Sequence, residues 1–377
     1  MDPEQKSHST MFILKRKSQV LHCSVLFWFL LFSSALHAQV VPRAIVRGQV
    51  VDDSTGAPIP LANVFVVSSK IGAATDRGGR FELTNVPLGS WEVVASIVGY
   101  VPAIRSVQLA DSTALKLIFR LKPRPVQMAS VEVEEKDPAE WRRQLKKFSD
   151  AFFGSTRNAS LCRFLNQEVL DFAIEKETGQ LSVTAREPLR VENKALGYLF
   201  QCVLMYSTVG NGTFQFTAYV GFEGLRAAND SEARGWENSR RKAYYGSKRH
   251  FLESLIRKRS KEEGFTANLM GFSLPREALQ RSVGLGVNPD TLVSPGDSPY
   301  ERRLSFMGFL QVIYSRENVQ HISLLELHGP VAVIYTNGLN PLGIWTHGYW
   351  SLQRAAEMLP VDYEPESANS RPQRDEE

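Results

Sequence analysis

The chain of 377 residues has only three cysteines and seven histidines. Three thiols cannot staple a disulfide scaffold or build a Cys-rich metal array, and no two histidines stand at metal-ligand spacing. Charge of one sign is also lacking, since 44 Lys and Arg stand against 40 Asp and Glu. A dedicated nucleic-acid binder carries a strong basic excess, so no nucleic-acid partner is expected. There is no Gly-x-Ser-x-Gly elbow, no HExxH, and no phosphate-cradling glycine loop of the P-loop or dinucleotide type. What remains is globular composition, 43% hydrophobic and 22% charged. The length suits two ordinary domains or three small ones.

The N-terminal segment has its own signature. Lys15, Arg16 and Lys17 precede the apolar run 25–32, and Ser33, Ser34, Ala35, Leu36, His37 and Ala38 follow it. Positive, apolar, small-residue order is that of a secretory signal peptide, and the apolar run is short for a membrane span of about 20 residues. Residues 1–38 are therefore expected to be a signal peptide cleaved after Ala38, leaving Gln39 first and no transmembrane helix in the mature chain. Met11, just ahead of the basic cluster, competes with Met1 as the start. The alternative reading of this segment is an uncleaved anchor. Cys23 precedes the apolar run and is not placed as a lipid-anchor cysteine. Cys162 and Cys202 remain after cleavage, either paired in an oxidising compartment or buried as free thiols in apolar strand segments.

Between 43 and 121, short alternating runs are separated by turn residues about every eight to twelve positions, which predicts an all-β sandwich of about seven strands. The candidate strands are 44–51, 62–68, 71–75, 79–84, 91–98, 103–109 and 115–121. Asp52-Asp53-Ser54-Thr55-Gly56-Ala57-Pro58, Asp76-Arg77-Gly78-Gly79 and Pro87-Leu88-Gly89 carry turn chemistry at nearly every position. Phe81, Leu83, Trp91, Val93, Ala95 and Ile97 recur at period two and are the expected core. Asp76, between Thr75 and two glycines, is expected to hold a turn through local backbone bonds, with ligand or metal contact as the competing role.

Several motifs in this stretch carry a resemblance. They are Gly48-Gln49-Val50-Val51-Asp52, Ala62-Asn63-Val64, Thr75-Asp76-Arg77-Gly78-Gly79-Arg80-Phe81, Val86-Pro87-Leu88-Gly89 and Val98-Gly99-Tyr100. In this order they resemble the carboxypeptidase-regulatory-like domain, a transthyretin-like sandwich also grouped with carbohydrate-binding-like folds. The resemblance implies a module that accompanies the catalytic domain of some metallocarboxypeptidases without being catalytic itself. It also implies kinship with exported proteins of gram-negative bacteria, where such a domain heads many architectures, TonB-dependent receptors among them.

Residues 122–160 read as a linker and one amphipathic helix. Pro123 and Pro125 end the sandwich, and Val131, Glu132, Val133 and Glu134 alternate as one more edge strand. Asp137-Pro138-Ala139-Glu140 is a helix start, and Trp141, Leu145, Phe148 and Phe152 follow at helical spacing with Arg142, Arg143, Lys146 and Lys147 opposite. Such a helix either docks its aromatic stripe on the next domain or lies on a membrane surface.

Residues 161–360 are expected to form an α+β domain with mostly antiparallel strands and a helical insertion. Strand patterns fall at 170–174, 181–185, 196–206 and 213–222, then at 266–272, 306–315, 321–327, 331–336 and 344–351. In the fourth, Phe214, Phe216, Ala218, Val220 and Phe222 share one face. The insertion begins with a cap at Asp230 or Ser231, carries Trp236, Arg240 and Tyr244, breaks at Gly246-Ser247, and resumes with Phe251, Leu252, Leu255 and Ile256. Residues 361–377 are expected to be a disordered tail. Glu187-Pro188-Leu189-Arg190-Val191-Glu192-Asn193, Tyr244-Tyr245-Gly246-Ser247, His250-Phe251-Leu252 and Gly348-Tyr349-Trp350-Ser351 resemble the body of an exported bacterial envelope family that carries the same N-terminal sandwich.

Chemistry for a reaction is thin. The mature chain keeps only His250, His321, His328 and His347, none spaced with Glu as a zinc peptidase needs. Ser239-Arg240-Arg241-Lys242 has Ser-x-x-Lys spacing without partner motifs, and nothing selects a glycosidase pair such as Asp171 with Glu187. No catalytic, cofactor-binding or metal residue is therefore named, no cofactor is expected, and carboxypeptidase activity is not expected. The expected function is an exported, non-enzymatic cell-envelope protein, a binding or structural module for protein or glycan contact, located in the periplasm or at the cell surface of a gram-negative bacterium. Peripheral membrane contact stays open. The alternative is an envelope hydrolase with its site in 161–360, for which a pocket gathering His250, Glu192, Ser247 or Tyr244 would speak. Arg240, Arg241, Tyr244, Tyr245, Lys248 and Arg249 form the candidate interaction surface, because Tyr and Arg are the residues most enriched at binding hot spots and Gly246 among them would let a partner approach the backbone.

Overall fold

Seven strands build the N-terminal sandwich in a computed structural model that describes residues 42–124, 137–210, 212–271, 284–316, 319–340 and 343–365. They are β1 (Arg43–Asp52), β2 (Asn63–Val66), β3 (Gly72–Ala74), β4 (Arg80–Pro87), β5 (Gly89–Ser96), β6 (Ala103–Leu109) and β7 (Ala114–Leu121). One sheet runs β4-β1-β7 and the other β3-β2-β5-β6. Only the β1–β7 pairing in them is parallel. Alternation explains the core: in β4, Phe81 and Leu83 point inward while Arg80 and Glu82 face solvent. Phe81, Leu83, Trp91, Val93 and Ala95 are buried as expected, together with Val46, Val50, Phe119 and Leu121; Ile97 only packs at the margin. Carboxylates organise the turns. Asp76 Oδ1 accepts the Gly78 and Arg80 N–H groups, both at 2.8 Å. Asp52 Oδ1 accepts the Ser54 and Thr55 N–H groups at 2.9 and 2.8 Å, and its Oδ2 accepts the Tyr100 hydroxyl at 3.0 Å.

The expected signal peptide, the edge strand at 131–134 and residues 366–377 of the tail lie outside the described residues. The helix α1 (Pro138–Phe153) follows, with Asp137 Oδ1 accepting the Ala139 N–H at 2.9 Å. Six strands then form one antiparallel sheet: β8 (Cys162–Phe164), β9 (Leu170–Ile174), β10 (Leu181–Ala185), β11 (Leu189–Asn193), β12 (Tyr198–Gly210) and β13 (Thr213–Gly224). The long β12 pairs with β11 and then β10 along one edge, and with β13 along the other. The aromatic stripe of α1 docks on this sheet. Phe148, Phe152 and Phe153 are buried in its core, and Phe148 stacks on Phe164 with centroids 5.7 Å apart.

The helical insertion is α2 (Asp230–Tyr244) and α3 (Lys248–Ile256). Beyond it, β14 (Phe265–Met270), β15 (Leu285–Val287), β16 (Val293–Pro295), β17 (Glu301–Leu304), β18 (Phe309–Arg316), β19 (Val319–Leu327), β20 (Ala332–Tyr335) and β21 (Ile344–Gly348) lead to a single helical turn, α4 (Tyr349–Leu352). They make a sheet of order β15-β14-β18-β19-β21 and a smaller one of order β16-β17-β20. Phe251, Leu252 and Leu255 of α3 share a core with both sheets and with Trp350.

Several expectations need correction. The strand expected over 344–351 stops at Gly348, whose φ of 72° turns the chain into α4. The cap of α2 is Asn229, which accepts the Glu232 N–H at 2.9 Å while Glu232 accepts the Ala228 N–H at 2.7 Å. The strands β8, β11, β15, β16 and β17, runs of three to five residues, were not foreseen. The tail expected from 361 onward is packed at its start: Tyr363 is 6% exposed and donates its hydroxyl to Glu237 at 2.8 Å.

The sandwich and the following sheet touch along the outer face of β2 and β5. Phe65 and Val94 pack with Val203 of β12. Ser68 sits in the left-handed region at φ 60°. From there its N–H reaches Val220 O at 2.6 Å, and its carbonyl accepts the Val361 N–H at 2.6 Å. Among the described residues, no helix is long and apolar enough to cross a membrane.

Candidate functional site

The six residues of the candidate interaction surface occupy α2, the break after it, and the start of α3. Trp236 and Arg240 pin α2 to the β11–β12 turn. The indole N–H donates to Lys194 O at 2.8 Å, and Arg240 Nε donates to Leu196 O at 2.7 Å with its guanidinium 4.3 Å over the Tyr198 ring. Only glycine fits beneath Trp236, since a Cβ on Gly197 would lie 2.3 Å from the indole. Arg241 stays exposed and bonds Asn238 of its own helix at 2.9 Å.

At the break, Gly246 has φ 77°, and a Cβ there would lie 2.6 Å from the Tyr314 ring. Its N–H donates to His250 Nδ1 at 3.0 Å and its carbonyl accepts the Trp350 indole at 2.7 Å. The close backbone approach expected at this glycine is therefore made by the chain's own Tyr314 and Trp350. Ser247 caps α3 by accepting the His250 N–H at 3.1 Å.

Tyr244, expected at the surface, is 4% exposed and donates its hydroxyl to Glu253 Oε2 at 2.7 Å. Burial and the Glu253 carboxylate push its pKa up. Arg249 is likewise turned inward. Its Nε donates to Glu253 Oε1 at 2.7 Å, and its Nη groups bond the carbonyls of Pro360, Val361 and Tyr363 at 2.8 to 2.9 Å. Tyr245 is half-buried under the Arg316 guanidinium, 4.6 Å from the ring centre. The physical reason is common to Tyr244 and Arg249. A buried carboxylate such as Glu253 must collect donors, and the nearest are residues that composition alone would send to solvent.

Lys248 differs. It is half-buried, it has no hydrogen bond or ion pair with any described residue, and burial lowers its pKa. It lines a cleft of about 430 Å³ with Tyr244, Ser247 and Arg249. The opposite walls are Phe214 and Phe216 of β13, Trp350 and Ser351 of α4, Arg354 and Glu357 beyond α4, and Ser68 of the sandwich. Arg354 places its guanidinium 4.8 Å over Phe214 and donates to Ser351 O and Ala151 O. Glu357 accepts from Thr156 at 2.5 Å and Asn158 at 2.9 Å; burial still raises its pKa against those bonds. Another hollow of about 540 Å³, between α3 and the 293–299 segment, has no aromatic side chain in its walls.

Of the residues named for a hydrolase, Tyr244 and Ser247 line the cleft and His250 lies against them, its ring 4.9 Å from that of Tyr244, while Glu192 is not among the cleft-lining residues. His250 is 2% exposed, with Nδ1 held by the Gly246 N–H and Nε2 at 3.2 Å from Glu263. Its pKa is lowered by burial, with Glu263 opposing. Glu192 pairs with Arg163 on the β11–β8 edge at 2.6 Å, and Asp171 pairs with Arg186 at 3.2 Å. The thiols of Cys162 and Cys202 are free, and burial pushes each up to about 12. Among the described residues, no group of three or more His, Cys, Asp and Glu is placed to hold a metal ion. Of the cleft-lining groups, Tyr244, Ser247, Lys248 and Arg249 were singled out in the sequence, whereas Phe214, Phe216, Trp350 and Arg354 came without a functional signal.

The seven-stranded sandwich defines a class of fold. Residues 46–133 match the family described as CarboxypepD_reg-like domain, so the N-terminal sandwich is a carboxypeptidase-regulatory-like domain, which fits a binding or structural module. No curated protein matches the chain. Among solved structures, a putative carbohydrate binding protein from Pseudomonas aeruginosa is 14% identical, covering 23% of this chain and 92% of that one at a TM-score of 0.18. The 5-hydroxyisourate hydrolase of Klebsiella pneumoniae is 17% identical over 22% of this chain and 91% of its own, with a TM-score of 0.17. The major pilin subunit of Bacillus cereus is 13% identical over 22% of this chain and 31% of its own, with a TM-score of 0.19. Likenesses of that size carry no argument about function.

Proposed function

We propose that the chain is an exported, non-enzymatic cell-envelope protein in which the carboxypeptidase-regulatory-like sandwich is a rigid docking unit and the following region carries a binding cleft. The signal-like order of residues 15–38 supports export to the periplasm or cell surface of a gram-negative bacterium. The observation that carries the binding reading is the cleft itself. Five separate stretches of chain meet there, aromatic rings form one wall, and Lys248 stands in it without a partner among the described residues. Pockets of this size with apolar walls and few polar groups are the usual form of ligand sites. A hydrolase has weaker support, because the histidine nearest the cleft has both nitrogens engaged within the fold.

Two measurements test the proposal. N-terminal sequencing of envelope-fraction material is expected to read from Gln39; an intact Met1 or Met11 would overturn export. A thermal-shift screen of the purified protein against envelope glycans, peptides and small organic acids is expected to find stabilising ligands that the cleft variant Phe216→Ala loses. Turnover of any ligand in that screen would return the hydrolase reading.

A further inference from the structure

The charges around the cleft do not balance. Four side chains of the Lys, Arg and Glu types line it: Lys248, Arg249, Arg354 and Glu357. Arg249 is spent on Glu253 and on three carbonyls of the 360–363 segment. Glu357 is taken up by Thr156 and Asn158, and burial favours its neutral form. Arg354 uses Nε and Nη1 on backbone carbonyls, and no described group accepts from its Nη2. Lys248 has no counter-ion among the described residues. A cation removed from water without a partner is unfavourable, and an anion entering the cleft would relieve that cost. Lys248 is also the first residue of α3, and the cap hydroxyl of Ser247 takes the N–H of His250, leaving the N–H groups of Lys248 and Arg249 without an acceptor among the described residues. The apolar half of the site is equally specific. Phe214 and Phe216 stack with centroids 5.1 Å apart, and Trp350 is fixed by its bond to Gly246.

We infer that this cleft binds a small organic anion, a carboxylate or phosphate group on an aromatic-sized apolar body, with the Lys248 ammonium as counter-ion and the Phe214, Phe216 and Trp350 rings holding the body. The inference rests on the reading of the chain as a binding module and gives that reading a ligand class.

Calorimetric titration of the purified full chain with 4-phenylbutyrate, phenyl phosphate and the neutral 4-phenylbutan-1-ol tests it. At least one anion is expected to bind about tenfold more tightly than the alcohol, the size of one charge-assisted contact, and the tighter anion identifies the headgroup. Lys248→Met should remove that preference and leave alcohol binding unchanged. Its fold should persist by circular dichroism, because no bond is lost. Lys248→Arg should keep the preference, so a charge effect is separated from a packing effect. Equal binding of alcohol and anions to the wild type would overturn the anion inference and leave a binding cleft in place, as would an anion preference that survives Lys248→Met. Failure of all three compounds to bind would overturn both.

Discussion

The sandwich and the region after it bury their cores by different means. In residues 43–121, two sheets built from neighbouring strands face one another, and most of what covers Trp91 and Phe119 lies within the same stretch. In residues 138–365 no sheet covers itself. The six-stranded sheet is closed by α1 from before it and by Ala355 and Ala356 from far beyond it. The five-stranded sheet is closed by α3, Trp350 and the smaller β16-β17-β20 sheet. The segment after α4 acts as a strap. Ala356 accepts from Asn193, Glu357 from Thr156 and Asn158, and Pro360, Val361 and Tyr363 from Arg249, while the Val361 N–H reaches back to Ser68 of the sandwich. A core made of local strands tolerates separation from its surroundings. A core closed by distant segments does not.

The most severe way to probe this difference is to remove the strap. Truncation after Leu352 should cost the second region its cooperative unfolding transition in denaturant, a loss comparable to a domain's whole net stability of about 5–15 kcal/mol. A fragment spanning 43–124 should keep a cooperative transition under the same conditions. Trp91→Ala should destabilise both that fragment and the full chain by about 3–5 kcal/mol, the usual result of emptying a large aromatic site. Phe65→Ala should separate the two contexts. In the full chain Phe65 is 3% exposed against Val203, so a loss of about 3 kcal/mol is expected there, whereas in the fragment that face is open to water and the loss should fall below about 1 kcal/mol. Chemical denaturation of the four proteins checks both statements.

Arg249→Met should lower the stability of the full chain by about 2–3 kcal/mol, since charge-assisted bonds are lost and Glu253 keeps only Arg257 and the Tyr244 hydroxyl. The smallest effect expected is one of pH. Burial holds His250 below its unfolded pKa, with Glu263 and Glu253 opposing and Arg316 assisting. Below about pH 6.5 the unfolded chain therefore binds the proton more readily than the folded one, so stability is full above that value and declines as the pH falls. His321, also lowered by burial, acts in the same direction. The fall in melting temperature between about pH 7.5 and 5.5 should be shallower in His250→Gln.

Much of the sandwich was legible because its strands alternate and its turns carry Asp and Gly at positions that need them. The buried face of β4 and the inner residues of β5 follow from period two alone. Val94 on the other face of β5 was not legible as buried, because its cover, Val203, lies in another region of the chain. The aromatic stripe of α1 could be read as a buried face, though not what it would dock on. At the cleft, Lys248 and Tyr244 stood out by residue type, but both had been read as facing outward. Tyr244 is drawn in by Glu253, and Lys248 lines a hollow whose other walls come from β13, α4 and the strap.

The amino-acid sequence by itself determined the elements whose causes are local: the sandwich strands and their Asp turns, the capped start of α1, the hairpin leading into β13, and the glycine break between α2 and α3. Each depends on side chains a few positions apart, so the information lies within a short window. The tertiary structure alone decided which charges face inward, where the 353–363 segment lies, and that a cationic, aromatic cleft exists. Those outcomes depend on which distant surfaces meet and exclude water, and a linear pattern does not carry that.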